Sequence, residues 1–96
     1  MLLHLLNRSP ASSGVPHEVL RAMGPDDRLL LMEAGVYGAV EPHAALFSSL
    51  HGRCFALAED LASRGLREHC AAWITVLDMQ GFVTLTEETQ RTVSWF

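Results

Sequence analysis

The sequence predicts a single α/β domain, in which helices flank a mainly parallel sheet of four to five strands. Three observations support this expectation: the chain has only 96 residues, its apolar residues form short runs, and each run leads into a turn signal and a helix-like segment. Domains typically contain about 100–150 residues, so a split would leave two undersized cores. Short apolar runs that alternate with helical patterns are typical of βαβ units. We therefore treat residues 1–96 as one domain.

Four apolar runs are the candidate strands. Each is short enough for a strand and ends at polar, glycine or proline residues that mark a turn or a helix start. In chain order, the runs are Leu2–Leu6, Leu29–Met32, Cys54–Leu57 and Ile74–Leu77. The connections between parallel neighbours are expected to be right-handed crossovers.

The candidate helices lie between these runs and are recognised by their ends. Proline is tolerated in the first turn of a helix, and glycine is favoured just beyond its last turn. These signals predict helices at Pro16–Met23, Pro42–Leu50 and Glu59–Arg64. Gly65 is expected at the C′ position of the third helix.

The C-terminal segment has features of both a strand and a helix. Phe82–Thr86 has strand-like composition and alternation. However, Phe82 and Leu85 have helical spacing, and Asp78 is a good N-cap residue. We predict a helix here, followed by a short edge strand at Val93–Phe96.

Composition and charge argue against several classes of protein. Eleven acidic and seven basic residues give a net charge of −4, and no clustered basic face of the kind that binds nucleic acid is evident. No stretch approaches the roughly 20 apolar residues of a membrane span, and no basic region precedes Leu2–Leu6, as a signal peptide would require. We expect a cytoplasmic protein. An apolar content of 49% is high for so small a domain, which predicts an apolar interface with a partner.

The residues expected just beyond the strands are mainly acidic. Open α/β sheets bind ligands at this edge, and phosphates need a glycine-rich loop without nearby anions. No such loop occurs, and helix capping explains Glu33, Glu59, Asp60 and Asp78. We therefore expect no nucleotide or other cofactor and assign no catalytic or cofactor-binding residue.

The five histidines do not form a recognisable metal site. No two of them are spaced i,i+4 on one predicted helix, and no CxxC motif accompanies them. We expect His4, within the first strand, to be a mostly buried, hydrogen-bonded residue.

The two cysteines are predicted to be free thiols. Cys54 opens a strand and should pack as a small apolar residue, whereas Cys70 precedes the next strand beside His69. A reactive thiol needs an electropositive, partly exposed environment, and His69 is the candidate activator of Cys70. Strand geometry places Cys54 level with Ile74 and Cys70 roughly 13 Å further along, too far for a disulfide.

Several segments together carry a family resemblance. They are Leu3-His4, Asn7–Pro10, Leu30–Tyr37, Ala56–Leu66, Val76–Thr86 and Ser94-Trp95. In register along the whole chain, they resemble the TusB/DsrH family of sulfur-relay proteins. The resemblance implies a DsrE-like three-layer fold whose tail is a helix and then a terminal strand.

The resemblance also implies partners and a function. It implies a heterohexamer with TusC- and TusD-type, or DsrE- and DsrF-type, subunits. In the Tus branch, such a complex takes persulfide sulfur from a TusA-type protein and passes it to a TusE-type protein for 2-thiolation of the tRNA wobble uridine. The carrier cysteine would lie on the TusD-type subunit.

One departure from the family pattern bears on the role of this chain. Some DsrH-type members carry a cysteine in the first helix, where this sequence has Val19, with Leu20 beside it. The chain therefore resembles a TusB-type, non-catalytic subunit without direct nucleic-acid binding. Two alternatives remain open: a DsrH subunit of a DsrEFH complex in sulfur oxidation, or a persulfide carrier that uses Cys70 or Cys54.

Overall fold

The computed structural model describes all residues, 1–96, and contains one five-stranded sheet in which every pair of neighbours is parallel. The strand order is β4-β3-β2-β1-β5, so the first strand lies inside the sheet and the last forms an edge. The strands are β1 (Leu2–Leu6), β2 (Arg28–Leu31), β3 (Cys54–Leu57), β4 (Thr75–Leu77) and β5 (Arg91–Trp95). The predicted α/β class, the parallel sheet and the C-terminal edge strand are confirmed.

The strand boundaries differ from the prediction at three places. β2 begins and ends one residue earlier, β4 begins one residue later, and β5 begins two residues earlier and excludes Phe96. β5 is mostly exposed, because an edge strand needs only a few inward-facing residues. A search for apolar runs therefore detects only the end of this strand.

The three α-helices lie close to the predicted positions. They are α1 (Val15–Ala22), α2 (Ala58–Ser63) and α3 (Met79–Glu88). Gly65 follows α2 with a φ of +67°, the left-handed conformation expected at this position. Asp78 caps α3 by accepting a hydrogen bond from the Gly81 N–H at 2.8 Å. The tail is therefore a helix followed by a strand, as predicted.

Three segments form 3-10 helices: Glu33–Ala39, His43–Leu50 and Arg67–His69. The predicted α-helix at Pro42–Leu50 is therefore wrong in type. Ala44, Phe47 and Leu50 recur every three residues and are all buried. A helix with three residues per turn places them on one side, which favours the 3-10 form.

The sheet has two unequal cores. The larger one lies on the face that carries Leu6, Leu29 and Cys54, and it is closed by α1, α2 and the first two 3-10 helices. The smaller one lies on the opposite face, where Leu3, Leu5 and Leu30 pack against α3. None of the helices combines the length and the apolar character that crossing a membrane requires.

Candidate functional site

Two of the four acidic residues beyond the strands bind backbone amides. Asp60 accepts a hydrogen bond from the Glu33 N–H at 2.7 Å, and Asp78 caps α3. Glu33 itself has a φ of +49° at the turn that follows β2. These contacts agree with the structural interpretation of Asp60 and Asp78, because a carboxylate that binds N–H groups stabilises the chain reversal there.

The first-helix position of the family cysteine faces the protein interior. Val19 is fully buried in the larger core, and Leu20 packs at its edge. The first helix therefore presents an aliphatic side chain, without a thiol, at this position.

Both thiols of the chain are free. Burial, followed by the nearby Cys70, raises the pKa of Cys54 from 9.0 to about 12. Burial also raises the pKa of Cys70, and the Arg67 guanidinium offsets only part of this effect. Neither environment favours the thiolate, which is the nucleophilic form of cysteine. The cation that acts on Cys70 is Arg67 and not the expected His69.

The prediction that the chain runs straight from Cys70 into β4 is wrong. Cys70 forms an isolated antiparallel bridge with Val40, and the Ile74 N–H returns to the Ala71 carbonyl at 3.1 Å. The segment therefore turns before β4, and Cys70 packs at the border of the core that contains Cys54. The assumption behind the 13 Å separation does not hold, although both thiols are free, as predicted.

The most extensive polar cluster is largely buried and contains His4. Its Nε2 lies 3.0 Å from the Asp27 Oδ2 atom, and its Nδ1 accepts a hydrogen bond from the Trp95 indole N–H at 3.0 Å. Because Nδ1 acts as an acceptor, Nε2 carries the proton of the neutral imidazole and donates a hydrogen bond to Asp27. His4 is only 2% exposed, so its predicted burial and hydrogen bonding are confirmed.

Asp27 is the hub of this cluster. In addition to His4, its carboxylate accepts hydrogen bonds from the backbone N–H groups of Leu2 and Gly24, both at 2.9 Å. Burial by itself would raise the pKa of Asp27, but the hydrogen bonds from Gly24, His4 and Leu2 outweigh it and lower the pKa from 3.8 to about 2. Arg53 donates to the Asp27 carbonyl at 2.6 Å.

The cluster resembles a histidine–carboxylate dyad, but it has no nucleophile. The outward nitrogen of His4 faces the Trp95 indole, where a catalytic dyad would place a hydroxyl or thiol. The arrangement connects β1, the segment before β2 and β5. Sequence reasoning did not identify Asp27 and Trp95, because they lie 23 and 91 residues from His4.

The Asp27 pKa predicts a loss of stability in acid. A pKa that is lower in the folded state stabilises the fold above the unfolded value and loses this effect as the pH falls through the folded value. The shift from 3.8 to about 2 corresponds to about 2 kcal/mol, which we expect to be lost between about pH 4 and pH 2. Urea unfolding across this range measures the loss, and Asp27→Asn should flatten the pH profile. An unchanged profile would contradict this role of Asp27.

Comparison with known proteins agrees with the fold and with the family resemblance. The DsrH-like protein family matches residues 8–92. The protein TusB of Serratia proteamaculans (strain 568) is 35% identical to the chain over 96 residues, which cover 98% of this chain and 100% of that protein. The protein TusB of Escherichia coli (strain K12) is 34% identical with the same coverage.

A solved structure extends the comparison to the fold. The solution NMR structure of protein Tm0979 from Thermotoga maritima superimposes with a TM-score of 0.66 and covers 91% of this chain and 92% of its own. At 20% identity, this likeness supports the fold alone. The family match and the full-length TusB relatives go further, and the chain therefore belongs to the TusB/DsrH family.

Proposed function

We propose that the chain is a non-catalytic subunit of a cytoplasmic TusBCD-type sulfurtransferase complex, which relays persulfide sulfur for 2-thiolation of the tRNA wobble uridine. Membership of the TusB/DsrH family supports a sulfur-relay role, and two relatives that match over their full length carry the name TusB. The proposed partners are TusC- and TusD-type subunits, with a TusA-type donor and a TusE-type acceptor. The carrier cysteine is proposed for the TusD-type subunit.

The state of the two thiols carries the non-catalytic part of the proposal. A persulfide carrier needs a thiolate that accepts sulfur and then releases it to the next protein. Cys54 is fully buried and its pKa is raised to about 12, so it has neither the access nor the charge for this step. Cys70 is half-buried and its pKa is also raised. In the first helix, Val19 occupies the position at which some DsrH-type members carry a cysteine.

An apolar face around α3 supports a role in assembly. We define the α3 face as the exposed and half-buried apolar side chains on and beside this helix. They are Met32, Phe55, Leu77, Met79, Phe82 and Val83. Val83 is 50% exposed and Met79 is 47% exposed, although both sit on a helix that already covers the sheet. Large apolar side chains that stay exposed on such a helix favour contact with another protein.

Co-expression tests the proposed assembly. A tagged chain should co-purify with its TusC- and TusD-type partners in one complex of defined mass. Val83→Glu should weaken that complex by about fivefold to 150-fold, because about 1–3 kcal/mol is lost when a charge enters an apolar interface. Ala62→Glu, at an exposed position of α2, is the matched control and should leave assembly unchanged.

The outcomes of this experiment test the subunit role and the α3 contact surface separately. If the wild-type chain remains alone when both partners are folded and abundant, the subunit role is wrong. If the wild-type complex forms and Val83→Glu leaves its affinity unchanged, the α3 face is not the contact surface. Size-exclusion chromatography with light scattering provides the mass in both cases.

A second candidate function follows from the match to the DsrH-like family. The chain would then be the DsrH subunit of a DsrEFH complex in sulfur oxidation, with the same fold and different partners. Co-purification with DsrE- and DsrF-type proteins, or sulfite-reductase genes beside this one, would favour that function. The TusB relatives favour the tRNA branch.

A further inference from the structure

In addition to its backbone ladder with β1, the C-terminal strand is joined to the sheet by a side chain that meets a titratable partner. β5 is an edge strand that pairs only with β1, and most of its residues are exposed. Trp95 is its half-buried anchor: the indole N–H donates to the His4 Nδ1 atom at 3.0 Å, and the two ring centroids are 6.1 Å apart. The side-chain attachment of β5 through Trp95 therefore depends on a lone pair of His4.

That lone pair is the position at which His4 would take up a proton. Nε2 already carries a proton, through which it donates a hydrogen bond to Asp27, so a second proton can bind only at Nδ1. The protonated Nδ1 and the indole N–H would then be two donors facing each other, and neither could accept. A buried donor without an acceptor is unfavourable, so one of the two groups has to move.

Protonation of His4 has opposite effects on the contacts of its two ring nitrogens. A positive charge on His4 strengthens its contact with the Asp27 carboxylate, which backbone N–H groups already hold in place. It weakens the contact with Trp95, which belongs to an edge strand near the chain end. The imidazolium therefore stays with Asp27, and Trp95 is the group that leaves.

We propose that His4 and Trp95 form a pH-sensitive clasp, which holds β5 closely on the sheet while His4 is neutral and loosens it when His4 is protonated. Acidification is the signal that would act on this lone pair, because it supplies the second proton of the imidazole. β5 would then separate from β1 more often, although its backbone ladder with β1 remains, and the other four strands would stay paired as before.

Few other charged groups can influence this proton. Asp27 is the only ionisable side chain that bonds to His4, and Arg53 reaches the Asp27 carbonyl. On the neighbouring strands, Arg28 pairs with Glu88 at 3.1 Å and Arg91 is exposed. The charged or titratable residues of α1 (His17, Glu18 and Arg21) are exposed, and the Met1 ammonium group binds Gln90.

An NMR titration of the isotope-labelled full chain, from about pH 8 to about pH 5, tests the clasp. The ring nitrogens of His4, the indole N–H of Trp95 and the amide protection factors of Arg91–Trp95 are followed together. As His4 gains its proton, the indole signal should lose its hydrogen-bonded shift. The β5 protection factors should fall about fivefold to tenfold, the change expected for one hydrogen bond, while those of β2 and β3 stay constant.

Two controls isolate the Trp95 hydrogen bond. Trp95→Phe keeps an aromatic ring without the N–H donor, and it should abolish the pH step in β5 protection. Trp73 stacks on His51 with centroids 5.9 Å apart, and its indole signal should show no loss of a hydrogen bond to that ring. The wild-type titration decides the proposal even if Trp95→Phe folds poorly. The clasp is refuted if His4 titrates while Trp95 and β5 stay unchanged, or if His4 gains no proton before the whole chain unfolds.

Discussion

Gly35→Ala should destabilise the chain by about 3 kcal/mol or more, the upper range for overpacking of a core. A Cβ atom at this position would lie 2.2 Å from the Leu6 carbonyl oxygen and 3.0 Å from the Leu6 carbonyl carbon. Both atoms belong to backbone at the end of β1, and the oxygen also accepts the Met32 N–H at 3.0 Å. A flexible side chain could turn away, but this backbone cannot move without disturbing the β1–β2 ladder.

The cost extends beyond the clash itself. Gly35 lies in the first turn of the 3-10 helix Glu33–Ala39, which carries the buried residues Val36 and Ala39 into the larger core. Moving the helix away from β1 would open that core. Urea unfolding measures the effect, and Gly14→Ala is the matched control, because nothing lies within 4 Å of its added Cβ. Equal stability of the two variants would contradict the close packing at Gly35.

Asp27→Ala is the second substitution with a large expected effect. It removes the acceptor for His4, which is buried, and for two backbone N–H groups, which are half-buried. Each unsatisfied buried donor costs about 1–3 kcal/mol, so a total loss of about 3–4 kcal/mol is expected after partial relaxation. A chain of this size has a free energy of unfolding of only about 5–14 kcal/mol, so a large part of its stability depends on Asp27.

The neighbouring carboxylate provides the control for this substitution. Asp26 is exposed, and Asp26→Ala should change the free energy of unfolding by no more than about 0.5 kcal/mol. Asp27→Asn keeps the shape and one acceptor oxygen, but its amide must face one of the donors, so an intermediate loss is expected. If Asp27→Ala and Asp26→Ala unfold at the same urea concentration, the cluster does not stabilise the fold.

The elements that the sequence predicts well are those whose signals are local. β1 and β3 have the predicted boundaries, because each is a continuous apolar run flanked by residues with other preferences. The end of α2 at Gly65 and the start of α3 at Asp78 also follow from single residues with strong positional preferences. Local sequence patterns therefore predict buried parallel strands and helix ends.

Other features depend on contacts that no local pattern contains. The 3-10 helix Glu33–Ala39 is specified by the close approach of Gly35 to β1, and the turn before β4 by the bridge between Cys70 and Val40. The His4 cluster joins residues from both ends of the chain. Its one sequence signal is a histidine within an apolar strand, which predicts a partner without identifying it.

The cysteines carry the central claim, because sulfur relay without a carrier thiol on this chain requires that both be dispensable. The variant Cys54→Ala/Cys70→Ala removes every thiol of the chain. Cys54→Ala alone should cost about 1 kcal/mol, since it leaves a small cavity in the core, and melting curves separate this loss from any effect on transfer. Cys70→Ala alone serves as the less perturbing control.

The most direct measurement is the transfer of labelled sulfur from a persulfidated TusA-type donor, through the reconstituted complex, to a TusE-type acceptor. We expect the folded and assembled double variant to transfer sulfur at close to the wild-type rate, whereas replacing the proposed carrier cysteine of the TusD-type subunit should abolish transfer. Loss of transfer by the folded double variant would contradict this account and identify the chain as a carrier. The single variant that reproduces the loss would then identify the residue, for which Cys70 is the candidate.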